Sequence, residues 1–142
     1  MINKGTIVII DNDVSFRISL AQSLNTSGYI VDILSDSSQI LTRVNAGEVP
    51  SVILLGVVFP GDGGMQFIKE IKTLAPYVPV IMLSRVDDVR TVVEAMKLGA
   101  SDFLLKPFEG SALQAAIDNA LAPAARGSGS GYRPRFEWRR HR

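Results

Sequence analysis

The stretch SVILLGVVFPGDGG, residues 51–64, decides the fold of this chain. Its run Val52-Ile53-Leu54-Leu55 is short and continuously apolar, which is typical of a strand covered by helices on both faces. The run leads into Gly56, and Pro60 and further glycines follow in the next loop. Proteins with parallel sheets place their working side chains at such strand ends. A glycine at this position is therefore either a structural residue or the gap left by a missing functional group.

Similar short apolar runs recur along the chain, and stretches with helical spacing lie between them. The five runs are Thr6–Ile10, Tyr29–Leu34, Val52–Leu55, Val80–Leu83 and Phe103–Leu105. The first helical stretch, for example, has Phe16, Leu20 and Leu24 on one face, while Gly28 and Gly99 each close a helix. Five successive β-α units with right-handed crossovers predict an α/β protein with an open, doubly wound, five-stranded parallel sheet.

Composition limits the class of protein. A chain of 142 residues with 46% hydrophobic and 20% charged residues is about one globular domain. It has no cysteine, which excludes disulfides, thiolate zinc sites and cysteine nucleophiles. The longest apolar run, Val49–Pro60, is too short to span a bilayer, and the residues before Asp11 lack the pattern of a secretion signal. These features predict a cytoplasmic protein with no membrane partner.

Charge divides the chain into two parts. Residues 126–142 contain six arginines and one glutamate, whereas residues 1–125 contain nine basic and thirteen acidic residues. Gly-Ser repeats begin the basic part, and its apolar content is too low for independent folding. We therefore predict a folded domain over 1–122 and a flexible tail over 123–142, consisting of a linker and vector-encoded residues. The alternative is an arm for nucleic acid or an acidic partner. The acidic folded part argues against direct nucleic-acid binding by the domain itself.

The carboxyl ends of the predicted strands carry a small set of polar residues. The first strand ends at Asp11, Asn12 and Asp13, the fourth at Ser84 and the fifth at Lys106. Carboxylate and amide oxygens can bind Mg²⁺, while a hydroxyl and an ammonium group can contact a phosphoryl group. Each residue also has a plain structural explanation, because Asp13 and Ser84 can cap helices and Lys106 can be an ordinary surface lysine. Their convergence at one sheet edge favours a site.

Four segments in this order resemble the receiver domain of bacterial response regulators, and the chain is similar to the single-domain chemotaxis regulator. The segments are IVIIDND (7–13), PSVILLGVVFPGDGG (50–64), VPVIMLS (78–84) and AMKLGASDFLLKPF (95–108). They correspond to the acidic cluster, the phosphoacceptor strand, the strand with the switch hydroxyl and the strand that ends in Lys-Pro. The resemblance covers residues 5–122. It implies the flavodoxin-like (β/α)5 receiver fold with strand order 2-1-3-4-5.

The resemblance also implies roles for individual residues. Asp11 and Asn12 occupy the positions of the Mg²⁺-binding acidic pair, and the backbone carbonyl of Val58 would be a further ligand. Ser84 would contact the phosphoryl group, and Lys106 would pair with its charge. By the same resemblance, the switch consists of Ser84 and Phe103, an aromatic residue that rotates inward and changes the face formed by the fourth helix, fifth strand and fifth helix. Lys106–Pro107 is expected to be a cis peptide bond.

Two departures from the family pattern answer the question raised by the glycine. The family carries its aspartyl nucleophile at the position of Gly56, where this chain has no side chain to phosphorylate. Asp62 lies in the following loop and is no substitute. Asn12 replaces the second acid, so Mg²⁺ is expected to bind weakly or not at all. Gly56 is therefore a gap, which either a natural pseudo-receiver or an introduced Asp-to-Gly change would explain.

An enzyme is the main alternative. The sequence Asp11-Asn12-Asp13-Val14 also fits the opening motif of haloacid-dehalogenase-like phosphatases, whose first Asp is the nucleophile. That family needs an acidic pair after its lysine, whereas only Glu109 and Asp118 follow Lys106 before the tail. A flavodoxin-like cofactor site is disfavoured, because the acidic loop after the first strand would repel a phosphate.

The sequence thus predicts a non-enzymatic signalling domain of a two-component phosphorelay that acts through protein–protein contacts. By resemblance, its partners are a sensor histidine kinase or phosphotransfer protein and a downstream effector or fused output domain. A homodimer through the face of the fourth helix, fifth strand and fifth helix is a further expectation. The kinase and the output are not specified by the residues.

Overall fold

The computed structural model describes residues 4–34, 36–57, 64–85 and 89–122. Strands and helices alternate throughout these ranges. The strands are β1 Thr6–Ile10, β2 Ile30–Leu34, β3 Val52–Val57, β4 Val80–Ser84 and β5 Asp102–Leu105. The helices are α1 Val14–Thr26, α2 Ser37–Asn45, α3 Gly64–Leu74, α4 Val89–Lys97 and α5 Gly110–Ala120. Within the described ranges, every helix is too short or too polar to span a lipid bilayer.

The five strands form one parallel sheet in the order β2-β1-β3-β4-β5. The predicted fold class and strand order are therefore confirmed. The first strand has the predicted bounds, and the other strands differ by one or two residues at their ends. The largest difference is in β3, which continues through Gly56 to Val57 because its backbone still pairs with β4, Gly56 opposite Leu83.

Helices cover both faces of the sheet, so the inner strands β1, β3 and β4 are largely buried on both sides. One buried cluster joins Ile7 and Ile9 of β1 to residues of α1 and α5, including Leu20 and Ile117. The other joins the alternate strand residues, such as Val8, to α2, α3 and α4. Successive residues of a strand point to opposite faces. This arrangement explains why the strands lack the polar alternation of a half-exposed sheet.

Local signals in the sequence fix several helix ends. Asp13 caps α1, since its carboxylate accepts a hydrogen bond from the backbone N–H of Phe16 at 3.1 Å. Gly28 and Gly99, after α1 and α4, have φ of 107° and 114°, a left-handed conformation that favours glycine. The predicted cap and both predicted helix ends are thus present in the structure.

Strand register brings the predicted polar residues to one edge of the sheet. Ile10 of β1 lies opposite Leu55 of β3, so the next residues along these chains, Asp11 and Gly56, are neighbours. In the same way, Ser84 lies opposite Leu105, immediately before Lys106. Three predictions fall on residues outside the described ranges: the backbone ligand at Val58, the loop position of Asp62 and the tail over 123–142.

Candidate functional site

Gly56 lies directly against the side chain of Asp11. A β-carbon placed at position 56 would overlap the Oδ2 atom of Asp11 and would lie 2.5 Å from its Cγ and 3.0 Å from its Cβ. Real β-carbons do not approach other heavy atoms this closely. The carboxylate of Asp11 therefore lies in the space that any side chain at position 56 would enter first.

The Asp11 carboxylate is buried and has partners on both oxygens. Its Oδ2 accepts a hydrogen bond from Lys106 Nζ at 2.7 Å, and the two side chains are only 2% and 9% exposed. Its Oδ1 accepts a hydrogen bond from the backbone N–H of Asp13 at 2.9 Å. The Asp11 carbonyl accepts a hydrogen bond from Arg17 Nη1 at 3.0 Å, which ties the first turn of α1 to the same point. Asp11 and Lys106 thus form a buried, hydrogen-bonded ion pair.

An aromatic side chain covers the other side of Lys106. The Nζ atom lies 4.0 Å from the centroid of the Phe16 ring, within the range of a cation–π interaction. Phe16 in turn packs edge-on against Phe108, with ring centroids 5.9 Å apart. The helical spacing places Phe16 on one face with Leu20 and Leu24 but does not predict this contact. The position of Phe16, in the first turn of the helix that follows the acidic cluster, was the feature of the sequence that could have indicated it.

The backbone also helps to position Lys106. Its N–H donates a hydrogen bond to the carbonyl of Ser84 at 2.7 Å, which continues the pairing of β4 and β5 by one residue. The peptide bond between Lys106 and Pro107 is cis. The ammonium group extends from this paired backbone position toward Asp11 on the first strand.

The other two acidic-cluster residues face outward. Asn12 is exposed. Asp13 forms an ion pair with Arg85 at 3.2 Å, in which the arginine side chain is 70% exposed and the aspartate 34%. The hydrogen bond from the Phe16 N–H, together with the nearby Arg85 and Lys106, holds the pKa of Asp13 below its usual value of 3.8. Such an exposed pair contributes little to stability, and the main role of Asp13 in the structure is the helix cap.

The two predicted switch residues are both buried. Ser84 is completely buried at the end of β4, and Phe103 is 5% exposed. The Phe103 ring belongs to the core cluster on the side of α2, α3 and α4. The Phe103 ring therefore points into the core in this structure.

Within the described ranges, the oxygen donors do not fit the Mg²⁺ ion that the family resemblance implies. A divalent cation requires several oxygen ligands, but Asp11 has both carboxylate oxygens engaged, Asn12 points to solvent and Gly56 supplies no side chain. Among the described residues, no three acidic or histidine side chains lie close enough together to hold a metal ion. The position beside Asp11 where a cation would balance its charge holds the Lys106 ammonium group.

Comparison with known proteins identifies the family to which this chain belongs. The model of the response regulator receiver domain matches residues 7–118, which include every described site residue. The chain belongs to this family. The match extends from the first strand to the fifth helix, so the fold and the strand-end site both lie within the receiver domain. It supports the family resemblance and gives the phosphatase alternative no support.

Curated relatives are identical to this chain at about a third of the aligned residues. The transcriptional regulatory protein FixJ of Bradyrhizobium diazoefficiens is 36% identical over 124 residues, which are 87% of this chain and 60% of FixJ. The transcriptional regulatory protein ZraR of Escherichia coli (strain K12) is 36% identical over 116 residues, 82% of this chain but only 26% of ZraR. The chain thus spans less than two thirds of the length of these relatives.

Solved structures agree with the same fold. The crystal structure of FixJ-N is similar with a TM-score of 0.72 and 30% identity, covering 82% of this chain and 92% of that one. NtrX from Brucella abortus, solved with ADP, has a TM-score of 0.75 and 27% identity over 88% of this chain and 28% of its own. The receiver domain therefore occurs both alone and as a part of longer chains in these structures.

Proposed function

We propose that this receiver domain of a two-component system signals through protein–protein contacts without a phosphoacceptor at position 56. The main support for the proposal is the direction in which a side chain at position 56 would point. A β-carbon at Gly56 would point into the Asp11–Lys106 pair. An aspartate at this position would thus enter the same cluster of polar groups in which the family performs phosphoryl transfer.

Ser84, Phe103 and Lys106 retain the side chains that the family uses for phosphoryl contact and switching. Without an acceptor, no covalent anion can form at position 56 to bias the equilibrium between conformations. The domain therefore occupies one fixed population, which a partner recognises as it stands. It is not an enzyme in this form, because it lacks the group on which even self-phosphorylation depends.

The partners that we propose follow from the family and from its named relatives. FixJ and ZraR are named as transcriptional regulatory proteins, so the output is either a fused effector domain or a separate effector protein. The input partner is a sensor histidine kinase or phosphotransfer protein, and the face of α4, β5 and α5 is the proposed surface for the effector or a second copy. A cytoplasmic location is part of the same proposal.

Treatment with acetyl phosphate and Mg²⁺, followed by intact-mass measurement, tests the function of position 56. A carboxylate held close to the phosphorus and to Lys106 is required for transfer. We expect no mass gain in the unmodified protein. Gly56→Asp should restore a hydroxylamine-labile phosphoryl adduct, and Gly56→Asp with Asn12→Asp should form it faster because the second acid of the metal pair is restored.

Gly110→Asp is the matched control, because a β-carbon at position 110 would have open space around it instead of the Asp11 carboxylate. It adds an identical side chain and should gain no phosphoryl group. Phosphorylation of the unmodified protein on Asp11 or Asp13 would refute the proposed loss of the acceptor. Absence of any adduct in both restored variants would show that position 56 does not correspond to the acceptor.

A further inference from the structure

The space next to Gly56 is filled by the chain itself. The Asp11 carboxylate occupies the position that a side chain at 56 would enter first, and there it contacts Lys106 at 2.7 Å. With any larger residue at position 56, the Asp11 side chain would have to rotate away, since its Oδ2, Cγ and Cβ all lie too close to the new β-carbon. The present pairing of Asp11 and Lys106 therefore depends on glycine at this position.

Two further groups contact the pair. The Asp13 N–H donates to the second carboxylate oxygen at 2.9 Å, and the Phe16 ring covers the ammonium group at 4.0 Å. Both charged side chains are almost inaccessible to solvent. A divalent cation at Oδ2 of Asp11 would have to compete with the Lys106 ammonium group for the same carboxylate charge. At such short range in a buried site, the ammonium group would also repel the incoming cation strongly.

We propose that the Asp11–Lys106 pair is an internal latch, made possible by Gly56, in which the lysine ammonium permanently replaces the divalent cation. The residue at position 56 then selects between two states of Asp11. With glycine, Asp11 turns inward, pairs with Lys106 and does not respond to Mg²⁺. With a β-carbon at 56, Asp11 turns outward toward Asn12 and becomes available as a metal ligand. The inference rests on the proposed function only for the identity of the cation.

Gly56→Ala tests the latch most sharply, because a methyl group is neither a metal ligand nor a nucleophile. Mg²⁺ is titrated into the uniformly ¹⁵N-labelled protein, and the amide of Asp13, which donates to Asp11, is the local reporter. The unmodified protein should show no saturable shift in the low millimolar range. Gly56→Ala should show a saturable shift of the Asp13 amide, with a Mg²⁺ affinity at least about tenfold higher than that of the unmodified protein.

Two controls match the chemistry of the change. Gly110→Ala adds the same methyl group where no atom beyond its chain neighbours and its own helix backbone lies within 4 Å, and it should titrate like the unmodified protein. Lys106→Met removes the ammonium while keeping the apolar stem, and it should also gain affinity for Mg²⁺. Its counterpart Lys97→Met removes an exposed lysine on α4 and should gain none. If Lys106→Met does not fold, the Mg²⁺ titration of Gly56→Ala tests the latch by itself.

Saturation of the unmodified protein by Mg²⁺ in the low millimolar range would overturn the latch. An unchanged titration of Gly56→Ala would also overturn it, whatever Lys106→Met does. Neither result involves phosphoryl transfer, so the proposed function would stand in both cases. Conversely, failure of the restored aspartate variants to become phosphorylated would contradict the proposed function and leave the latch intact.

Discussion

Gly56 keeps its place in the third strand, opposite Leu83, although it has no side chain. Its effect on the site comes from the space that it leaves. Asp11 enters that space and brings its charge to within 2.7 Å of Lys106. Two opposite charges that are buried together lose their hydration, and they remain stable only when paired and hydrogen-bonded. The hydrogen bond from Asp13 and the aromatic cover from Phe16 meet this requirement.

The ion pair predicts a strong coupling between two substitutions. Asp11→Asn and Lys106→Met should each lower the free energy of unfolding by about 3–5 kcal/mol, because each leaves one buried charge without its partner. The loss in free energy of unfolding should be clearly smaller in the double variant than the sum of the two single losses, since the double variant leaves no buried charge. Urea unfolding of the four proteins of this cycle measures the coupling.

Lys97→Met provides the control for this cycle. Lys97 is exposed at the end of α4, and its removal should change the stability by no more than about 0.5 kcal/mol. If the Asp11 and Lys106 effects simply add, the two side chains are not a coupled pair in solution.

A smaller residue-scale prediction concerns Phe16. Phe16→Leu keeps an apolar side chain of similar size but removes the ring that faces Lys106 at 4.0 Å. It should lower the stability by about 0.5–2 kcal/mol, the range of a cation–π interaction. In the background of Lys106→Met the same change should cost less, and an equal cost in both backgrounds would show that Phe16 contributes by packing alone.

At the scale of single elements, helix α2 shows how the chain sets a boundary through local chemistry. Asp36 accepts hydrogen bonds from the hydroxyl and the backbone N–H of Ser38, the latter at 2.7 Å, while Gln39 Oε1 accepts one from the Asp36 N–H at 3.3 Å. This capping box satisfies backbone donors that a helix start leaves free. The Ser38 hydroxyl and backbone N–H hold the pKa of Asp36 below its usual value of 3.8.

This capping box predicts a pH-dependent effect. Because the pKa of Asp36 is lower in the folded state than in the unfolded state, its stabilising contribution is complete above the unfolded value near 3.8 and is lost as the pH falls through the lower folded value. Asp36→Ala should therefore be less stable than the unmodified protein at neutral pH, and this difference in stability should become smaller in acid. Thermal unfolding as a function of pH measures it.

Asp36→Asn serves as the control for this prediction, because asparagine also caps helices but does not titrate. Its stability relative to Asp36→Ala should be nearly independent of pH. A gap between the unmodified protein and Asp36→Ala that widens in acid would contradict the role of the Asp36 charge.

The elements were largely predictable from the sequence, whereas the pairing at their ends was not. Apolar runs specified the strands, and Asp13, Gly28 and Gly99 marked helix ends through backbone chemistry that acts over a few residues. The partner of Lys106 depends on distances between residues 95 positions apart in the chain. The strand order placed Asp11 beside Gly56, but only the side-chain geometry shows that Asp11 fills the gap. The contact of Phe16 with Lys106 was missed for the same reason.

For the whole molecule, the domain boundary is open to direct measurement. The sequence predicts that residues 1–122 fold without the basic tail, which carries six arginines and one glutamate. A chain that ends at Ala122 should unfold at the same temperature as the full chain, within about 2 °C. The truncated chain should be retained less strongly than the full chain on a cation-exchange column, because the residues that remain are acidic overall. A large loss of thermal stability would show that residues 123–142 belong to the folded domain.

The proposed latch and the proposed loss of the acceptor together predict a fixed conformation of the whole domain. With no acid at position 56 and Asp11 paired to Lys106, neither a phosphoryl donor nor Mg²⁺ has a group through which to shift the population. The buried positions of Ser84 and Phe103 should then be the same with and without these ligands.

The most direct test is the amide spectrum of the ¹⁵N-labelled protein before and after addition of acetyl phosphate and Mg²⁺. We predict that the signals of Ser84, Phe103 and Lys106 stay in place in the unmodified protein and move in the Gly56→Asp, Asn12→Asp variant. A shift of these three signals in the unmodified protein would show that the domain still responds to a phosphoryl donor and would contradict the central claim.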